Sequence, residues 1–84
     1  MITVNYFASI RETARRDKET LEIPRSVNSV EKLIEFLAER DENSHKALFG
    51  ETPVLVAVNQ TVVSRDYKLD GDEEIAFFPP MTGG

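Results

Sequence analysis

Ser29-Val30-Glu31-Lys32-Leu33-Ile34-Glu35-Phe36-Leu37-Ala38-Glu39-Arg40 is the stretch that decides how this chain folds. Val30, Leu33, Ile34, Leu37 and Ala38 recur at i, i+3, i+4, i+7 and i+8, which places them on one stripe of an α-helix. Glu31, Lys32, Glu35, Glu39 and Arg40 fall on the wetter faces. Ser29, or Asn28 with Glu31 three residues on, supplies the N-cap oxygen. The helix is expected to end near Asp41-Glu42-Asn43, and Ser44 to Phe49 reads as one more helical turn closed by Gly50. An amphipathic stripe has to bury itself against something, and the strongest patterns elsewhere in the chain are those of strands.

Two strands precede the helix. Ile2, Val4 and Tyr6 alternate with Thr3, Asn5 and Phe7, the period of a strand with one buried face. With Ile2 and Val4 inward, Phe7 points to the solvent side. Ala8 to Arg16 forms a short helix or loop, and Thr20 to Ile23 a second strand stopped by Pro24. Three strands follow the helix. Val54-Leu55-Val56-Ala57-Val58 is apolar throughout, as in a central strand covered at least partly on both sides. Asn59-Gln60 is a tight turn into Thr61-Val62-Val63. Ser64 to Leu69 is a connection, Asp70-Gly71-Asp72 a turn, and Glu74 to Phe78 the last strand. Ile75 and Phe77 share one face of it, Ala76 and Phe78 the other; a register slip of one would exchange those faces. The expected architecture is α+β: a mixed five-stranded sheet with one main amphipathic helix packed across it.

That order and size resemble the β-grasp, or ubiquitin-like, roll, in which the first and last strands lie parallel and adjacent. Phe7 and Phe78 then sit together on the sheet face away from the helix. With Val62 they form an apolar patch larger than a monomer normally leaves in water, so a protein partner is expected. Residues 1–78 are expected to form the domain and 79–84 an extended tail.

Composition narrows the function. The chain has 84 residues, no cysteine and one histidine, His45. Disulfides, thiol chemistry and a zinc site built by the chain itself therefore drop out. Fifteen acidic against ten basic residues give a net charge of −5, which disfavours nucleic acid as main partner. The opening Met1 to Asn5 has no basic, apolar leader pattern, and no apolar run approaches a membrane span, so a cytoplasmic protein is expected. Asp70, Asp72, Glu73 and Glu74 read as solvated turn acids rather than a catalytic cluster. Arg11, Arg15 and Arg16 read as a solvated face, with steering of a phosphate or acidic partner the sharper alternative.

Phe77-Phe78-Pro79-Pro80-Met81-Thr82-Gly83-Gly84 carries no charged side chain, in a chain that is 30% charged. Pro79 and Pro80 favour a stiff, extended base. The two glycines make the slimmest peptide that can enter a narrow pocket. From Pro79 the six residues reach at most roughly 20 Å. No nucleophile with its base, phosphate-cradling loop or paired carboxylates stands out elsewhere. The α-carboxylate of Gly84 is the group with reactive potential. Ionised at neutral pH, with a free pKa near ~3.5, it is a poor electrophile until joined to AMP. The acyl-adenylate is open to a sulfur nucleophile, which would leave a thiocarboxylate.

Ala57-Val58-Asn59-Gln60-Thr61-Val62-Val63-Ser64, Asp70-Gly71-Asp72-Glu73 and Ile75 to Gly84 closely resemble the small, sulfur-carrying subunits of molybdopterin synthase. Val4 to Ala8 with Ile10-Arg11-Glu12 look like the same family's first strand and turn, whereas Asp41 to Pro53 matches nothing sharply. The resemblance implies that Gly84 is adenylated by a ubiquitin-activating-enzyme-like adenylyltransferase using ATP and magnesium, with no cofactor bound by this chain. Sulfur then arrives from a cysteine desulfurase system. Pro79, Pro80, Met81, Thr82 and Gly83 would insert into the large subunit. There the thiocarboxylate donates sulfur to cyclic pyranopterin monophosphate, building the dithiolene. The family assembly is a heterotetramer, and by position Phe7, Val62 and Phe78 would contact the large subunit. The resemblance thus implies the sulfur-donating part of a sulfurtransferase with no active site of its own. The alternatives are a thiamin-pathway sulfur carrier, a modifier joined to lysines, and a binding module whose tail is dispensable.

Overall fold

The stripe found in the sequence is buried in full: Val30, Leu33, Ile34, Leu37 and Ala38 are the buried residues of α2 (Val30–Arg40). The computed structural model describes residues 1–80. Ser29 caps α2, its Oγ accepting the Lys32 N–H at 3.3 Å. The Val30 and Glu31 N–H groups donate to the carbonyls of Tyr67 and Arg65, so orphan donors of the first turn are satisfied by the following loop.

Five strands form one sheet: β1 (Ile2–Tyr6), β2 (Lys18–Leu21), β3 (Leu55–Val58), β4 (Thr61–Val63) and β5 (Glu74–Phe78). Their order across the sheet is β2-β1-β5-β3-β4. β1 and β5 run parallel at its centre, and the β1–β2, β5–β3 and β3–β4 pairs are antiparallel. This is the expected α+β arrangement with first and last strands side by side. Ile2, Val4, Tyr6, Val56, Val58, Ile75 and Phe77 face α2 and belong to one continuous core with its stripe. Tyr6 and Phe77 meet there with ring centroids 5.8 Å apart.

The β3–β4 turn has left-handed backbone at both Asn59 (φ 49°) and Gln60 (φ 71°), the geometry of a two-residue hairpin with the twist of its strands. Asn59 also receives the Glu74 N–H on its side-chain oxygen (3.0 Å) and donates its own N–H to the Glu74 carbonyl (2.8 Å). The turn therefore anchors the start of β5.

Three expectations need correction. The second strand spans Lys18–Leu21 rather than Thr20–Ile23. The antiparallel register places Glu19 opposite Val4, on the core side of the sheet. A carboxylate is tolerated there because Tyr6 Oη donates to it at 2.6 Å, Arg16 at 3.1 Å, and Arg40 through two nitrogens at 2.9 and 2.7 Å. Burial and the Glu19 hydrogen bond push the Tyr6 hydroxyl up, so it remains a donor.

The segment after α2 is a full helix, α3 (Glu42–Phe49), not one turn. Asp41 ends α2 and caps α3 at once, accepting the Ser44 N–H at 2.7 Å. Ala8 to Arg16, left open between helix and loop, contains α1 (Ala8–Ala14).

Glu73, finally, is no solvated turn acid. It is buried, and its carboxylate accepts the N–H groups of Asp70 (2.6 Å), Gly71 (2.9 Å) and Asp72 (3.0 Å). Burial alone would raise its pKa, but these backbone donors outweigh it and hold the carboxyl below its ordinary value. Gly71, at φ 107°, supplies the backbone that this turn needs.

Candidate docking face and the root of the tail

The side chains that alternate with the core positions lie on the far side of the sheet. Thr3 and Asn5 of β1 occupy it with Glu74, Ala76 and Phe78 of β5, Leu55 and Ala57 of β3, and Val62 of β4. The registers arrange them in rows. Asn5 pairs with Ala76, Ala76 with Ala57, and Ala57 with Val62, a row across four strands. Phe78 pairs with Leu55, and Phe7 follows Tyr6, the partner of Phe77, so Phe7, Phe78 and Leu55 form the adjoining row.

Phe7 is 49%, Leu55 38% and Val62 61% exposed, while Phe78 is half-buried. Phe7, Phe78 and Val62 therefore share the outer face. Val62 lies two strands from β5, roughly 10 Å at about 4.8 Å per strand. Leu55 is an addition to the residues singled out in the sequence. Its run is apolar at every position and shows no alternation, so only the pairing with Phe78 reveals its face.

Phe7 is held firmly by its backbone. Its N–H donates to the Phe77 carbonyl at 3.0 Å, and its carbonyl accepts from Ile10 (3.0 Å) and Arg11 (3.2 Å). Ala8 directly after it adopts φ 49°, a left-handed turn into α1 that costs an alanine of order 1 kcal/mol. The ring is thus presented from a fixed strand end.

The same row marks where the chain leaves the sheet. Pro79, half-buried, follows Phe78 at the end of β5, and Pro80 is exposed. Met81, Thr82, Gly83 and Gly84 lie outside the described residues.

Electrostatics on this face are sparse. Asn5 Nδ2 donates to Glu74 Oε2 at 3.2 Å. Arg16 is tied to Glu19 and Asp41, the latter at 2.9 Å, while Arg11 and Arg15 are exposed and enter no ion pair among the described residues. His45 is exposed on α3, its ring tilted 39° against that of Phe49 with centroids 5.4 Å apart. Among the described residues no group of side chains is arranged to hold a metal ion, and no helix is long and apolar enough to cross a membrane.

Known proteins give this geometry a context. Residues 4–84 match the model of the ThiS family. Over the full length of both chains, the sequence is 40% identical to the molybdopterin synthase sulfur carrier subunit of Escherichia coli. It is 34% identical to that of Haemophilus influenzae, again over the full length of both. Among solved structures, a putative molybdopterin converting factor, subunit 1, from Pyrococcus furiosus superposes with a TM-score of 0.75 at 32% identity. That match covers 95% of this chain and 97% of the other. SAMP1 from Haloferax volcanii, at 22% identity and a TM-score of 0.72 over 99% and 98% of the two chains, shares the fold. The chain belongs to the ThiS family and has a ubiquitin-like β-grasp fold.

Proposed function

We propose that this chain is a sulfur carrier of molybdopterin synthase, loaded at Gly84 and delivered by its outer sheet face. The observation that carries the reading is the position of the exposed row Phe7–Phe78–Leu55, directly beside Pro79 where the tail departs. A partner that covers this row is placed where six further residues can reach into it. Likeness to sulfur carrier subunits over the whole chain supports the same reading.

The chemistry has three steps. The Gly84 carboxylate attacks the α-phosphate of ATP, with magnesium on the activating enzyme, and pyrophosphate leaves. A sulfur nucleophile at the oxidation level of sulfide then attacks the acyl carbon; the C–S bond forms and AMP departs with the C–O electron pair. On the large subunit of the synthase, the thiocarboxylate sulfur attacks an oxygen-bearing carbon of cyclic pyranopterin monophosphate; the C–S bond forms and the oxygen substituent departs with the C–O electron pair. Water finally cleaves the acyl–sulfur bond and regenerates the carboxylate. A dithiolene holds two sulfurs, so two loaded carriers are consumed per product. This chain binds no cofactor in the scheme and contributes placement and the acyl carbon.

The activating enzyme and the large subunit use the same outer face, so their complexes exclude each other. Reconstitution with both partners tests the reading. Deleting Gly84, or adding one residue after it, abolishes sulfur transfer and leaves the thermal midpoint unchanged. Transfer by either altered chain would overturn the proposal.

A further inference from the structure

The outer face is not uniformly apolar. Between its rows lies a depression enclosing about 170 Å³, lined by Asn5, Phe7, Gln60, Glu74 and Ala76. It exists because the small Ala76 is flanked by the larger side chains of Phe7, Asn5, Gln60 and Glu74. The walls differ in kind: the floor is a methyl group and one side is the Phe7 ring. Glu74 supplies the only formal charge. Its single side-chain hydrogen bond, from Asn5, leaves most of its acceptor capacity open. No cation pairs with it among the described residues.

An apolar floor and aromatic wall ending at an uncompensated carboxylate complement one kind of side chain, a long aliphatic stem with a cationic head. The stem covers Ala76, the head lies against the Phe7 ring and reaches Glu74, and the amide oxygens of Asn5 and Gln60 accept its remaining donors. Covering the face without a cation would strand the Glu74 charge in an apolar interface, which is strongly unfavourable.

We infer that Glu74 is a specificity-determining residue of the docking face, an anchor for one lysine or arginine side chain of the large subunit inserted between Phe7 and Gln60. The inference rests on the proposed function for its partner, but not on the sulfur chemistry of the tail.

Calorimetric titration of the full chain with the purified large subunit tests it at low and high salt. Glu74→Gln keeps the shape and the Asn5 contact while removing the charge. It weakens binding about five- to thirty-fold and flattens the salt dependence. Gln60→Lys places a cation in the depression without touching Glu74 and produces a similar loss. Glu35→Gln, an equal change in net charge on exposed α2 surface, leaves affinity within about two-fold, which separates a local anchor from general electrostatic steering. Glu74→Gln within two-fold of the parent, or indistinguishable from Glu35→Gln, overturns the anchor. If Phe7→Ala weakens binding while Glu74→Gln does not, the anchor alone falls. If the parent chain does not bind the large subunit, the anchor and the proposed function fall together.

Discussion

Phe7→Ala separates a docking residue from a core residue, and its magnitude follows from the structure. A phenylalanine carries roughly 200 Å² of surface. At 49% exposure, roughly 100 Å² of Phe7 remains in water in the free chain. If a partner buries all of it, at about 25 cal/mol per Å² the ring contributes about 2.5 kcal/mol to association. Alanine recovers a small part, which leaves a loss of about 2 kcal/mol, or about thirty-fold in Kd.

Stability should respond far less. The Phe7 backbone hydrogen bonds to Phe77, Ile10 and Arg11 survive the substitution, and half the ring never left water. Titration calorimetry against the large subunit, with urea melts of the free chain, gives both numbers. Binding weakened less than three-fold, or a stability loss above about 2 kcal/mol, would refute the placement of Phe7 at the interface.

The neighbouring residues supply further predictions. Phe77→Ala empties a site in the core and costs about 3–5 kcal/mol in urea melts, whereas Phe78→Ala costs less than half of that; the reverse order would mean the strand register is wrong. Glu19→Gln weakens the cluster of Tyr6, Arg16 and Arg40 and costs about 1–3 kcal/mol, reduced because both arginines are about a third exposed. Burial raises the Glu19 pKa, but the hydrogen bonds from Arg40 and Tyr6 outweigh it, so the folded value lies below the ordinary one. Its contribution is present above the unfolded value of about 4.3 and lost as pH falls through the folded one. The stability gap between parent and Glu19→Gln therefore narrows in acid, and a gap that widens below pH ~4 would contradict the assignment. Gly50→Ala would set a Cβ 2.3 Å from the Lys46 carbonyl oxygen, so α3 must shift its end. It lowers the thermal midpoint by about 4–8 °C per kcal/mol lost, and an unchanged midpoint would show that the end of α3 gives way freely.

Most of the fold could be read from the chain because period and burial agree. The α2 stripe, the inward set of β1 and the alternation of β5 each obey one rule with no local conflict. β2 starts two residues before the run Thr20–Ile23 that its apolar pattern suggests because Glu19 sits on the core side, and nothing in Lys18-Glu19-Thr20-Leu21 announces a carboxylate held by nearby Arg16 and by Tyr6 and Arg40 from elsewhere in the chain. α3 was underestimated for a related reason. Its Ser44 is fully buried and Asp41 serves two helices, so polar residues that suggest a loop instead end one helix and cap the next. Glu73 looked solvated because the backbone donors that bury it exist only once Asp70-Gly71-Asp72 has turned. On the docking face, Phe7 and Phe78 follow from alternation, whereas Leu55 and the Ala76 depression follow only from register between strands.

Sulfur loading of Gly84 is read from the intact mass of the chain coexpressed with its activating enzyme and a sulfur donor. The expected product is a species heavier by the difference between one sulfur and one oxygen atom, which a thiol-alkylating reagent converts to an S-alkyl adduct, and which is absent from a chain lacking Gly84. A chain that keeps its unmodified mass with ATP, magnesium, enzyme and donor all present would contradict it.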